Sequence, residues 1–186
     1  MMIDSMSAMP FIMHVGALQA TGGPASYSTP GSALWISGFG GDNGINNAYL
    51  GIGASSSYKP AMMTTDQSTC SKGYVKTGVS AGSGKNVNAF NNGDHSENSS
   101  CNYASTFNGT SSAAPTVAGV VALMLEANSS LTWRDVKHIL ATTADQIGSD
   151  SEFSYTFSGI KQYGWETNAA NYKFHNWFGF GKIDAA

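Results

Sequence analysis

The spacing of hydrophobic and polar positions changes character along the chain. Near the start, Pro10-Phe11-Ile12-Met13-His14-Val15-Gly16-Ala17-Leu18 is an almost continuous apolar run, the pattern of a buried strand. Ala33-Leu34-Trp35-Ile36-Ser37 predicts a second short strand. Ser28-Thr29-Pro30-Gly31 leads into it and Gly38-Phe39-Gly40-Gly41 leads out, both rich in turn-forming residues. Over residues 41–107 Gly, Ser, Asn and Lys dominate, and only Ala61-Met62-Met63-Thr64-Thr65 predicts a third strand. A polar stretch this long inside a compact domain is functional or hides short strands.

After Gly109-Thr110-Ser111-Ser112-Ala113-Ala114-Pro115 the pattern turns helical. Val117, Val120, Val121, Leu123, Met124 and Leu125 fall on every side of that helix, and Ala113, Ala114, Ala118, Gly119 and Ala122 allow close approach by other backbone. A helix apolar all round is expected to be central and buried. Pro115 is expected in about its first turn, where backbone donors lack intrahelical partners, and Asn128-Ser129-Ser130 marks its end. A second helix opens at Thr132, with Asp135 as the returning acid of a capping box. It runs from Trp133 to Thr143 or Ala144, with Trp133, Val136, Ile139 and Leu140 as its buried stripe. No internal repeat is visible.

Composition narrows the class. The 186 residues are 41% hydrophobic, enough for one globular unit spanning 1–186 and too few to expect a second domain. Nine Lys and Arg against twelve Asp and Glu give a net charge of -3, and Arg134 is the sole arginine. Nucleic acid is therefore an unsuitable partner, because no basic surface is available to displace its counterions. No apolar run approaches the roughly 20 residues of a membrane span. Charged residues are 11%, against ~25% in an average domain, and this balance suits a secreted protein. The first cation is Lys59 and Asp4 interrupts the opening, so no signal peptide is read. The chain is expected to begin in mid-fold.

The chemistry concentrates ahead of the long helix. Gly109-Thr110-Ser111 sets a hydroxyl at a helix N-terminus, where unpaired N–H groups and the helix dipole favour a developing oxyanion. Ser111 is thereby placed as a nucleophile; its ordinary alternative is to cap the helix. Cys70 and Cys101, an even pair in a secreted-looking chain, suggest a disulfide closing the long loop, with two buried free thiols as the alternative. Asp94, His95 and Glu97 read as a solvated loop tip rather than metal ligands, His138 as a helix residue and His14 as a strand residue. Gly78-Val79-Ser80-Ala81-Gly82 matches a hydrolase elbow in letters, but Gly-Ser-Gly-Lys-Asn follows where a helix is required. Gly84-Lys85 fails as a phosphate loop, with Val79 and Asn86 at two required positions. No metal or cofactor site is identified.

The string Gly109-Thr110-Ser111-Ser112-Ala113-Ala114-Pro115-Thr116-Val117-Ala118-Gly119 resembles the nucleophile motif of subtilisin-like serine proteases, G-T-S-x-A-x-P-x-V-A-G. Leu123-Met124-Leu125-Glu126-Ala127-Asn128, Leu131-Thr132-Trp133-Arg134-Asp135-Val136 and Phe178-Gly179-Phe180-Gly181-Lys182-Ile183-Asp184-Ala185 resemble the kexin and proprotein-convertase branch. Val15-Gly16-Ala17, Tyr27-Ser28 and Pro30-Gly31 fit the middle strands of the same family. The resemblance implies a three-layer α/β/α fold with a mostly parallel sheet, and acyl transfer at Ser111 by a Ser-His-Asp triad. It also implies oxyanion support from the Ser111 N–H and Thr110, with Gly109 at the nucleophile turn.

The family order is Asp, His, Ser. Its Asp-Ser/Thr-Gly and His-Gly-Thr motifs belong before the Val15-Gly16-Ala17 strand. None of His14, His95, His138 or His175 precedes Gly-Thr, and Asp42-Asn43-Gly44 comes after that strand. The chain thus resembles the C-terminal portion of the peptidase domain. The N-terminal half, with the triad Asp and His and the oxyanion Asn, is expected to be missing, and the chain alone to be inactive, with core surface and sheet edge exposed. Thr29 stands where the convertase branch has a calcium-binding acid, so calcium is implied only for a complete family domain. Implied substrates are proteins or peptides, and the implied location of the full-length protein is secreted or extracytoplasmic. The alternative from another class is a non-catalytic binding or structural module derived from the same fold.

Overall fold

The computed structural model describes residues 8–42, 60–77, 89–93, 95–148, 156–157, 160–161 and 164–186. Strand β1 (His14–Leu18) pairs in parallel with β2 (Leu34–Phe39), Val15 opposite Ile36 and Leu18 opposite Phe39. Alternation along β2 sends neighbouring side chains to opposite faces. Ile36 packs with the helices, while the Ser37 hydroxyl donates to the Phe178 carbonyl at 3.2 Å on the other side. The C-terminal segment extends the layer: the Ser37 N–H donates to Gly181 O and the Ile183 N–H to Ser37 O, in a parallel bridge between Ser37 and Lys182. Residues 10–13 do not join the strand, contrary to expectation, and Phe11 is 57% exposed. The partner strand starts only at Leu34, opposite His14, and the Pro10 and Ile12 carbonyls instead accept from Lys137 Nζ.

Two helices follow, α1 (Thr110–Ala127) and α2 (Trp133–Thr143). Val117 of α1, Val136 and Leu140 of α2, Ile36 and Ile183 form the main core, and Ala113 packs with Ala17 and Ala25 beside it. The expectation of a fully buried α1 is corrected. Only Ser112, Ala113 and Val117 are buried, while Leu123 and Leu125 are 55% and 39% exposed, because among the described residues the β1–β2 layer and α2 cover one face. Pro115 also moves: the helix starts at Thr110, which places the proline in the second turn with no N–H for the Ser111 carbonyl. At the start of α2 the capping box forms in full, the Thr132 hydroxyl accepting from the Asp135 N–H and the Asp135 carboxylate from the Thr132 N–H.

The polar middle hides a strand. β3 (Met62–Thr65) pairs antiparallel with β4 (Tyr103–Phe107), whose Tyr-Ala-Ser-Thr-Phe composition carries no strong apolar signal. Cys70 and Cys101 are joined in a disulfide, and Cys101 is buried with Val75 and Ala104. Two small antiparallel pairs complete the description, β5 (Thr156–Phe157) with β6 (Ile160–Lys161) and β7 (Glu166–Thr167) with β8 (Lys173–Phe174). The glycine strings at 78–82 and 84–85, and Asp94, lie outside the described residues.

Candidate active site

The site is a strand-to-helix turn. β4 ends at Phe107, and Asn108 and Gly109 carry the chain into α1. Gly109 has φ 107 and ψ 168, a conformation that side-chain-bearing residues rarely adopt, and this allows the sharp reversal. Ser111 then falls in the first helical turn and is exposed. It is not the cap: Gly109 holds the N-cap position and makes no side-chain cap bond. The Gly109 carbonyl accepts from the N–H groups of Ser112 (2.9 Å) and Ala113 (3.3 Å). The Ser111 N–H belongs to the set of first-turn donors without an intrahelical acceptor, at the positive end of the dipole. Thr110, also exposed, precedes it.

The turn is anchored by side chains whose roles the sequence did not reveal. Thr116 Oγ1 reaches both the Ser112 carbonyl (2.9 Å) and the Phe39 carbonyl (3.3 Å), tying the first turns of α1 to the end of β2. Asn108 Nδ2 donates to the Asp42 carbonyl at 3.0 Å. The buried Asp42 carboxylate accepts from the Ser26 hydroxyl (2.6 Å) and N–H (3.2 Å), and the Asp42 N–H donates to Pro60 O. Tyr27 Oη accepts from the Gly109 N–H at 2.8 Å and faces the carbonyls of Gly40 (2.8 Å) and Gly41 (2.6 Å). Burial pushes the Tyr27 phenol above its ordinary value; the Gly109 hydrogen bond opposes this and the Asp42 charge adds to it. Apart from the family-like pair Tyr27-Ser28, these residues carry no local sequence signal, since each acts on chain far away.

Beside the turn lies a cleft of about 450 Å3, bordered by Thr64, Asp66, Tyr74, Thr106, Phe107 and Asn108. Asp66 in its lining accepts from the N–H groups of Val75 and Gln67 at 2.8 Å each. The disulfide sits at the opposite end of β4 from Ser111.

The histidines are placed elsewhere. His14 opens β1, and His95 Nδ1 accepts from the Glu97 N–H at the start of a short 3-10 turn. His138 meets the edge of Tyr172, and the buried His175 accepts from the Trp177 N–H at 3.0 Å. Among the described residues no group of three or more His, Cys, Asp or Glu gathers to hold a metal. Thr29 is exposed and offers a single hydroxyl, and the Asp42 carboxylate accepts from Ser26.

A model of the Subtilase family matches residues 7–181. The chain belongs to that family. This subtilase is 35% identical over 181 residues to the Aeromonas extracellular serine protease of Aeromonas sobria, covering 91% of this chain and 26% of the relative. It is 44% identical over 77 residues to proprotein convertase subtilisin/kexin type 6 of Homo sapiens, covering 41% of this chain and 7% of that one. The crystal structure of the Aeromonas sobria serine protease superposes with a TM-score of 0.71 at 35% identity, covering 92% of this chain and 27% of that chain. The subtilase fold is thus an α/β fold, as the sequence implied. This chain spans about a quarter of the length of the Aeromonas relatives it matches.

Proposed function

We propose that the chain carries the nucleophile portion of a serine endopeptidase, with Ser111 forming the acyl-enzyme. The observation that carries this reading is the exposed Ser111 in the first turn of α1, two residues after a glycine held at φ 107, inside the G-T-S-x-A-x-P string. Attack by Ser111 Oγ on a peptide carbonyl would build negative charge on the carbonyl oxygen. On this reading the Ser111 N–H, the dipole of α1 and the Thr110 hydroxyl would stabilise that charge. The serine also needs a base to take its proton. No hydrogen bond joins a histidine to Ser111 among the described residues, and the sequence holds neither His-Gly-Thr nor Asp-Ser/Thr-Gly. The proposal therefore assigns the triad histidine and aspartate, and the asparagine donor, to sequence outside these 186 residues, with the isolated chain inactive.

Substrates on this reading are proteins or peptides, and the cleft beside Asn108 would take part of the extended chain. A secreted or extracytoplasmic location fits the Cys70–Cys101 disulfide and the low charge content. The test is labelling by a fluorophosphonate probe of the native gene product containing these residues, beside its Ser111→Ala variant. Labelling that maps to Ser111 and vanishes in the variant supports the proposal. A folded native product that stays unlabelled overturns it and favours a non-catalytic module on the same fold.

A further inference from the structure

Tyr27 lies in the connection between β1 and β2, 82 positions from Gly109, yet its hydroxyl meets the backbone just ahead of the nucleophile. A phenol has one hydrogen to give and lone pairs to accept with. Here the hydrogen goes to the carbonyl of Gly41 (2.6 Å) or Gly40 (2.8 Å), and the oxygen accepts from the Gly109 N–H (2.8 Å). The same Gly109 N–H reaches the Gly40 carbonyl at 3.1 Å, and the N–H groups of Gly40 and Gly41 both donate to the Leu18 carbonyl. The ends of β1 and β2 and the entry to α1 are therefore fastened at one point. Space there is closed: a Cβ on Gly40 would stand 2.8 Å from Ala17 Cβ, 2.9 Å from the Gly109 carbonyl and 2.9 Å from the Tyr27 hydroxyl.

We propose that Tyr27 is a positioning residue for Ser111, its hydroxyl locking the Gly109 turn against the end of β2 so that the nucleophile and its N–H hold one orientation. This rests on the acyl-enzyme reading above. A phenylalanine would keep the ring packing against Ala17, Ala25 and Ala113 but remove the phenol's bonds, leaving the Gly109 N–H only its longer bond to the Gly40 carbonyl. Small displacements of a reacting group cost far more in rate than in binding.

The experiment compares the native gene product containing this chain with Tyr27→Phe and, as a control for ordinary destabilisation, Ser28→Ala. The Ser28 hydroxyl accepts from the Ala17 N–H, away from the hydrogen bonds described for the Ser111 turn. Expected for Tyr27→Phe is a roughly ten- to hundredfold fall in the maximal rate of Ser111 phosphonylation at unchanged half-saturating probe concentration. Faster hydrogen exchange at the Gly109 amide is expected with it. Ser28→Ala is expected to lower the Tm while leaving the labelling rate unchanged. A Tyr27→Phe rate equal to wild type, an equal loss in Ser28→Ala, or unaltered Gly109 exchange in Tyr27→Phe overturns the proposal. An unlabelled wild type removes the acyl-enzyme reading instead, and Gly109 exchange then decides the clamp alone. Should Tyr27→Phe not fold, a tyrosine fluorinated beside its hydroxyl takes its place at position 27: the weakened acceptor is expected to speed Gly109 exchange and slow labelling, and unchanged values of both overturn the proposal.

Discussion

Single residues were legible where their partners lie close by in sequence. Thr132 and Asp135 are three apart, and the capping box they form is a purely local event, so the pattern predicted it in full. Its chemistry sets a pH dependence. The hydrogen bonds from the Thr132 side chain, and then its backbone, hold the Asp135 carboxyl below its ordinary value of 3.8. A carboxyl lowered on folding contributes stability above its unfolded value and loses it as pH falls through the lower folded value. Asp135→Asn is accordingly expected to be less stable at neutral pH and to show a shallower loss of Tm below about pH 4. Thermal melts of both proteins across that range check this. Tyr27 is the opposite case: nothing in Tyr27-Ser28 announces a hydrogen bond to a glycine 82 positions away.

At the scale of elements, period and environment must be separated. The apolar positions of α1 predicted a helix buried on all sides; the helix forms, but its far half is covered on one face only. Of the stripe expected in α2 at Trp133, Val136, Ile139 and Leu140, the core takes up Val136 and Leu140, Ile139 is half-buried, and Trp133 is corrected to exposed, under the Arg134 guanidinium. Leu140→Ala should cost about 2–5 kcal/mol, as large-to-small changes in packed cores do. Leu123→Ala, on the exposed side of α1, should cost under about 1 kcal/mol. Urea denaturation measures both, and equal losses would contradict the one-sided packing. β4 escaped notice because Tyr-Ala-Ser-Thr-Phe has neither an apolar run nor a clean alternation; pairing with β3 makes it a strand.

For the whole molecule, the disulfide and the turn that carries Ser111 are linked through one strand, β4. Cys70–Cys101 closes a 31-residue separation at the start of β4, and Ser111 follows its end. Closing a loop of that size is worth about 3–4 kcal/mol in the unfolded chain. Reduction is therefore expected to lower the stability by an amount of that order, read as a downward shift of the urea midpoint with and without reductant and confirmed by mass after alkylation. An unchanged midpoint would show that the bridge does not constrain the unfolded chain.

Sequence by itself determined the family, the two helices and the capping box of α2, because each is written in contiguous residues: the G-T-S-x-A-x-P string, the apolar stretch that follows it and the Thr132–Asp135 pair. Tertiary structure alone decided how the turn that carries Ser111 is held. The anchors are Tyr27 on Gly109, Asn108 on the Asp42 carbonyl, and Thr116 on the Phe39 carbonyl. Each joins segments separated by tens of residues. The physical reason is that these bonds end on backbone carbonyls and amides, which every residue carries and which only the folded path of the chain brings within reach.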